Sequence, residues 1–148
     1  MSYIIQQYPI TVKRQCMIAE FFRLTDRTRA IVLYVQSLLV GKYNRIPVWT
    51  EFYRTQDQQN ELHAKDIAAG YFVERDGVKQ YSENKRTLSV DAHQLYRAAD
   101  LSRRNLSDAI IEQIIVNVNK VFPYESADMH AANYRTQGTA HIHFQSGS

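Results

Sequence analysis

A helical apolar period between Leu24 and Lys42 constrains this chain most. There Ala30, Ile31, Leu33, Tyr34, Val35, Leu38 and Leu39 recur at three- and four-residue spacing. A stripe of that kind must be buried against another element, so it predicts the main core helix, with Thr25 as its cap ahead of Asp26 and Gly41 near its stop. A second stripe from Ser107 to Phe122, through Ala109, Ile110, Ile111, Ile114, Ile115 and Val118, predicts another helix that Pro123 helps to end. Between and after these stripes the pattern turns β-like. Pro47 to Arg54 is β-branched and aromatic, Tyr96 to Leu101 reads as a short strand, and Thr139 to Gln145 alternates so that His141 and His143 share a face.

Thr55-Gln-Asp-Gln58 matches the capping box and predicts a helix running to about Ala69. Asp76-Gly77 predicts a hairpin, and residues 84–91 a polar loop. The expectation is one α+β domain over residues 1–148. A small antiparallel sheet (strands near 47–54, 96–101 and 139–145) packs on helices near 24–41, 55–69 and 107–121. A chain of 148 residues buries roughly two thirds of its unfolded surface, enough for a core without staples.

Composition removes several function classes. The lone Cys16 excludes an intrachain disulfide framework and a cysteine-based zinc cluster, so any metal would be held by His and carboxylate. No run approaches the ~20 apolar residues that span a bilayer, since Gln36 and Ser37 interrupt the best one. The N-terminus lacks the order of a secretory signal, which predicts synthesis in the cytoplasm. Eighteen Lys and Arg against 15 Asp and Glu give a formal charge of +3. That mild bias suits an anionic polymer. Without a recognition helix, a stacking motif or a dense basic stripe, no nucleic-acid partner is expected.

The residues that can carry chemistry are His93, Asp100, His141 and His143. In a strand, residues two apart point the same way, ~6.6 Å from one another, so His141 and His143 can face one cavity. His93 and Asp100, seven residues apart, meet only if a loop entering a strand folds back. Two imidazoles and one carboxylate leave a tetrahedral zinc with an open position, the arrangement of a catalytic site. A base and a cation nearby, His141 and Arg54, would complete an amide hydrolase. Blander readings stand beside this one. An HxH on a terminal strand is often a surface or packed pair, Asp100 can pair with Arg97, Arg103 or Arg104, and Arg54 can be an ordinary strand-end charge.

Three stretches carry a resemblance in order and spacing: Phe52-Tyr-Arg-Thr-Gln-Asp-Gln-Gln59, Ser89-Val-Asp-Ala-His-Gln-Leu-Tyr-Arg-Ala-Ala-Asp100 and His141-Ile-His-Phe-Gln145. Over about residues 46–145 the chain resembles the zinc D-Ala-D-Ala carboxypeptidase and L-alanyl-D-glutamate endopeptidase family, whose fold is shared with the hedgehog signalling domain. The resemblance implies a hedgehog-like fold, a zinc cofactor and a peptidoglycan peptide substrate. It matches His93, Asp100 and His143 to the zinc ligands, His141 to the active-site histidine of the HxH branch, and Arg54 to the arginine that stabilises the oxyanion. Ala140, three before His143, excludes the carboxylate branch. Asp91 and Tyr96 depart from the family's serine and glycine, and Asp91 could act as a partner of a ligand histidine.

The resemblance further implies a phage or bacterial cell-wall peptidase, of endolysin or virion type, that reaches the wall by lysis or within a particle. The alternative is a non-catalytic wall-binding or structural module of the same fold, for example in a phage particle. His130 is a further candidate for the same cavity, His63 reads as a surface residue, and Trp49, Tyr53 and Phe144 read as packing.

Overall fold

The computed structural model describes residues 5–7, 10–55, 57–58, 61, 72–75, 78–81, 92–123, 131–136 and 139–147. The elements in order are β1 (Ile5–Gln7), β2 (Ile10–Val12), α1 (Met17–Arg23), α2 (Asp26–Gly41), β3 (Trp49–Glu51), β4 (Phe72–Arg75), β5 (Val78–Tyr81), a 3-10 turn at Ala92–Leu95, β6 (Ala98–Ser102), α3 (Asp108–Val121), β7 (Ala131–Thr136) and β8 (Thr139–Gln145). Among the described residues no helix is long and apolar enough to cross a membrane.

The two long helices follow their stripes and their caps. Thr25 Oγ1 accepts from the Thr28 amide at 3.4 Å, and Ser107 Oγ from the Ile110 amide at 3.2 Å, each satisfying an otherwise orphaned donor of a first turn. α2 turns Ile31, Val32, Val35 and Leu39 inward, and α3 turns Ile111, Ile114 and Val118 inward. Their inward residues join Leu101, Ile142 and Phe144 of the sheet in one core that also holds Trp49 and Phe52. Burial of each such side chain contributes roughly 1.5–3 kcal/mol.

The fold is α+β, with a sheet that is wider than the expected three strands and is mixed in direction. Six strands run in the order β1-β2-β3-β6-β8-β7, and the expected strands form its centre. Every pairing is antiparallel except β2 with β3, which is parallel. The parallel pair follows from α1 and α2, which form the crossover that carries the chain back to the same end. β3 is also shorter than residues 47–54. Its register with β6 shifts between Trp49 and Glu51, and the chain leaves the ladder at Phe52. β6 starts at Ala98, because Tyr96 stands in a turn with φ 57°.

β4 and β5 form a separate hairpin closed at Arg75 and Val78, while its turn residues Asp76 and Gly77 lie outside the described residues. The capping box forms reciprocally. The Thr55 amide donates to Gln58 Oε1 at 2.9 Å and the Gln58 amide to Thr55 Oγ1 at 3.1 Å. Most of the helix expected to follow it, the 84–91 loop, His63, Asp91 and His130 lie outside the described residues.

Candidate metal centre

The centre is built on the pairing of β6 with β8. Asp100 is the direct cross-strand partner of His143, with Ser102 opposite His141 and Ala98 opposite Gln145. Opposed residues of an antiparallel pair project to one side with Cβ atoms ~4.5–5.5 Å apart, so a carboxylate and an imidazole there meet without distortion. His143 Nδ1 lies 2.9 Å from Asp100 Oδ1. The alternate residues Ala99, Leu101, Ile142 and Phe144 enter the core with the helices. The polar row therefore occupies the sheet face turned away from α2 and α3.

His93 reaches the row from the 3-10 turn. The Arg97 amide donates to the Ala92 carbonyl at 3.0 Å and Tyr96 turns with positive φ, so the chain reverses between His93 and Asp100. That reversal brings residues seven apart in sequence to one point. His93 Nε2 lies 3.3 Å from Asp100 Oδ2 with both side chains buried, and its ring stands edge-on to that of His143 at 5.2 Å. One ligand atom from each of His93, Asp100 and His143 lies within 4.8 Å of the others, so the cluster can hold a metal ion.

The hydrogen bonds on the far sides of the two rings test whether a divalent cation fits. His93 Nδ1 donates at 3.0 Å to the Phe52 carbonyl, which can only accept. His143 Nε2 donates at 2.7 Å to Gln145 Oε1. Each outer nitrogen thus carries the proton, and each inner nitrogen turns its lone pair towards the Asp100 carboxylate. Lone pairs facing a buried anion need a cation among them, either protons or a metal ion.

In the metal-free protein a proton on His93 serves. Burial alone would lower His93, but the charge and hydrogen bonding of Asp100 outweigh it and raise the imidazole to about 9. Burial alone would raise Asp100, but His93 and His143 hold it far below the usual carboxylate range. An anionic carboxylate between two imidazoles at neutral pH is the donor set that suits zinc.

His141 stands beside the cluster, its Nε2 3.7 Å from Asp100 Oδ2 and its side chain 25% exposed. Burial keeps its pKa below the ordinary value despite the pull of Asp100, so the ring is neutral at pH 7. Arg54 follows the end of β3, where its Nε donates to Glu51 Oε1 at 2.6 Å. Glu51 is the cross-strand partner of Asp100, which puts this ion pair at the margin of the cluster. Asp100 sits among histidines. Arg103 pairs with Asp108 at 2.8 Å, and Arg97 donates to the Gly147 carbonyl at 2.7 Å.

Trp49 and Phe144 are core residues, while Tyr53 stacks on Tyr96 with ring centroids 4.6 Å apart. Sequence reasoning missed three contributors: Glu51, the Phe52 carbonyl and Gln145. Glu51 and Gln145 had a signal, the first at helical-turn spacing from Arg54 and the second in the alternating row of His141 and His143. A main-chain carbonyl has none.

No family model matches this chain, and comparison with curated proteins and with solved structures returns no significant match.

Proposed function

We propose that this protein is a zinc-dependent peptidase that hydrolyses a peptide bond in peptidoglycan stem peptides, as a carboxypeptidase or an endopeptidase. One observation carries the reading. Two imidazoles, turned by acceptors on their outer nitrogens, present their inner nitrogens to one buried carboxylate.

In this reading His93, Asp100 and His143 hold the ion. Bound zinc supplies Lewis acidity towards a carbonyl and lowers the pKa of water to ~7. His141, neutral at working pH, takes the proton of the attacking water and returns it to the leaving amine. Arg54, held by Glu51, offsets the negative charge that develops on the substrate carbonyl oxygen.

The choice of stem peptides rests on the resemblance of residues 52–59, 89–100 and 141–145 to the D-Ala-D-Ala carboxypeptidase and L-alanyl-D-glutamate endopeptidase family. Action at the wall after phage lysis, or from within a virion, is the matching location, and the net charge of +3 favours approach to an anionic polymer. Tyr96 bears on the alternative of a non-catalytic module. Glycine is favoured where φ is positive, and Tyr96 at 57° keeps the backbone such a glycine would adopt. The departure therefore leaves the reversal between His93 and Asp100 in place, which supports the enzyme over the module.

The test is elemental analysis of protein purified without added metal, paired with release of peptide fragments from purified peptidoglycan. One zinc per chain that His143→Ala abolishes, with fragment release lost in parallel, is the expected result. Protein that takes up no zinc ends the metal reading, and a metal-free protein that binds wall without cutting it is the module.

A further inference from the structure

We infer that Gln145 is a positioning residue for the metal: its side-chain amide holds His143 as the Nε2–H tautomer and so makes Nδ1 the coordinating atom. The inference rests on the metal reading above and concerns a side chain to which that reading gives no role.

The strand places Gln145 for this task. His141, His143 and Gln145 follow one another along one face of β8, two residues apart. Gln145 Oε1 accepts from His143 Nε2 at 2.7 Å, while His143 Nδ1 faces Asp100 Oδ1 at 2.9 Å on the other side of the ring. The residue opposite Gln145 is Ala98, fully buried, so only a methyl group stands across the strand pair. That leaves room for the longer amide to lie back along β8 towards the ring.

The physical consequence is a fixed ligand atom. An imidazole without an acceptor spends part of its time with the proton on the inner nitrogen, where it blocks coordination, and its ring can rotate. An acceptor on the outer nitrogen removes both losses and raises the basicity of the coordinating nitrogen. The Phe52 carbonyl does this for His93, and no substitution removes a carbonyl. For His143 the acceptor is a side chain, so its contribution can be measured.

The experiment compares the full chain with Gln145→Leu, which keeps the size and removes the acceptor, and Gln145→Glu, which keeps an acceptor. Zinc affinity is read by competition with a chromophoric chelator, and the His143 ring nitrogens by NMR of the zinc form. Gln145→Leu should bind zinc about 10–100-fold more weakly and lose the protected Nε2 proton, whereas Gln145→Glu should stay within a few-fold of the parent or bind more tightly. Should the leucine variant fail to fold, Gln145→Asn, whose amide is too short to reach the ring, should show the same loss. Wild-type zinc binding matched by the leucine or the asparagine variant, with the Nε2 proton still protected from exchange, overturns this inference alone. A wild-type chain that takes up no zinc overturns the metal reading and this inference with it.

Discussion

His143 and Asp100 face each other across the β6–β8 pair, with Nδ1 and Oδ1 2.9 Å apart, and this register pair fixes the geometry of the centre. Asp100 also meets His93 at 3.3 Å and His141 at 3.7 Å, so one carboxylate serves three imidazoles. Asp100→Asn is the substitution that isolates its charge. The amide has the same shape but no anion for His93 or for an ion. The variant should fold, lose stoichiometric zinc, and return His93 to or below the ordinary histidine range, measured by elemental analysis and by NMR titration of the rings. An asparagine variant with full zinc would show that the carboxylate is no ligand.

Zinc entering this cluster would have to displace a proton. Metal-free His93 is raised to about 9, so at neutral pH it is protonated and cannot coordinate. Binding should release about one proton per zinc near pH 7, and apparent affinity should climb about tenfold per pH unit until the pH passes the His93 value. Calorimetry in buffers of different ionisation heat measures the release. Heats that do not change with the buffer would mean that His93 is already neutral.

The same groups set the pH dependence of the metal-free fold. His93 is raised, so its contribution is complete below its unfolded value of ~6.5 and is lost as pH rises through about 9. Asp100 is lowered, so its contribution is complete above ~3.9 and is lost as pH falls below that. Both act together between those limits. Melting temperature in the presence of chelator should peak in that window and decline from pH 6.5 to 9, while the zinc-loaded protein should not show the alkaline decline. Parallel melting curves with and without zinc over that range would contradict the pairing.

How much of this was legible in the sequence depended on period and length. α2 and α3 follow from long stripes with side-chain caps, and their ends fall within two residues of those expected. β1 and β2 have only three residues each, too few to display alternation, and α1 has seven, too few for a repeating stripe. The sheet therefore emerged wider and partly parallel. At the centre, the row of His141 and His143 was legible because alternation puts both on one face. Its junction with His93 was implied by the family resemblance, not by any periodicity of the residues. That junction depends on a left-handed Tyr96 and on the Phe52 carbonyl, freed where β3 leaves the ladder, and neither is a side-chain pattern.

Tyr96 is where strain and packing compete. Its φ of 57° costs a non-glycine residue about 1–2 kcal/mol. Against that stand its stack on Tyr53, about 0.5–1.5 kcal/mol, and the Arg23 guanidinium 4.7 Å from its ring centroid, about 0.5–1 kcal/mol. Replacement by glycine relieves the strain and loses both contacts. It also adds about 0.4–1 kcal/mol of unfolded-chain entropy. The packing and entropy losses outweigh the relief, so Tyr96→Gly should destabilise the fold by on the order of 1 kcal/mol in denaturant titration. A variant more stable than the parent would show that the stack contributes little.

In the proposed peptidase, His141 would separate binding from turnover. Its ring is on the same strand face as His143 but lies farther from Asp100, at 3.7 Å against 2.9 Å, and its pKa is lowered by burial, as suits a base that must be neutral before it acts. His141→Ala should therefore retain most of its zinc while cleavage of stem peptides falls by ~10² or more, the loss expected for a positioned acid–base group. The acid limb of the pH–rate profile should vanish with it, because that limb reports the base taking up a proton. Zinc content and initial rates on one preparation measure both quantities. If His141→Ala lost its zinc while His143→Ala kept it, the two histidines would exchange roles, and coordination would pass to the ring nearer the end of β6.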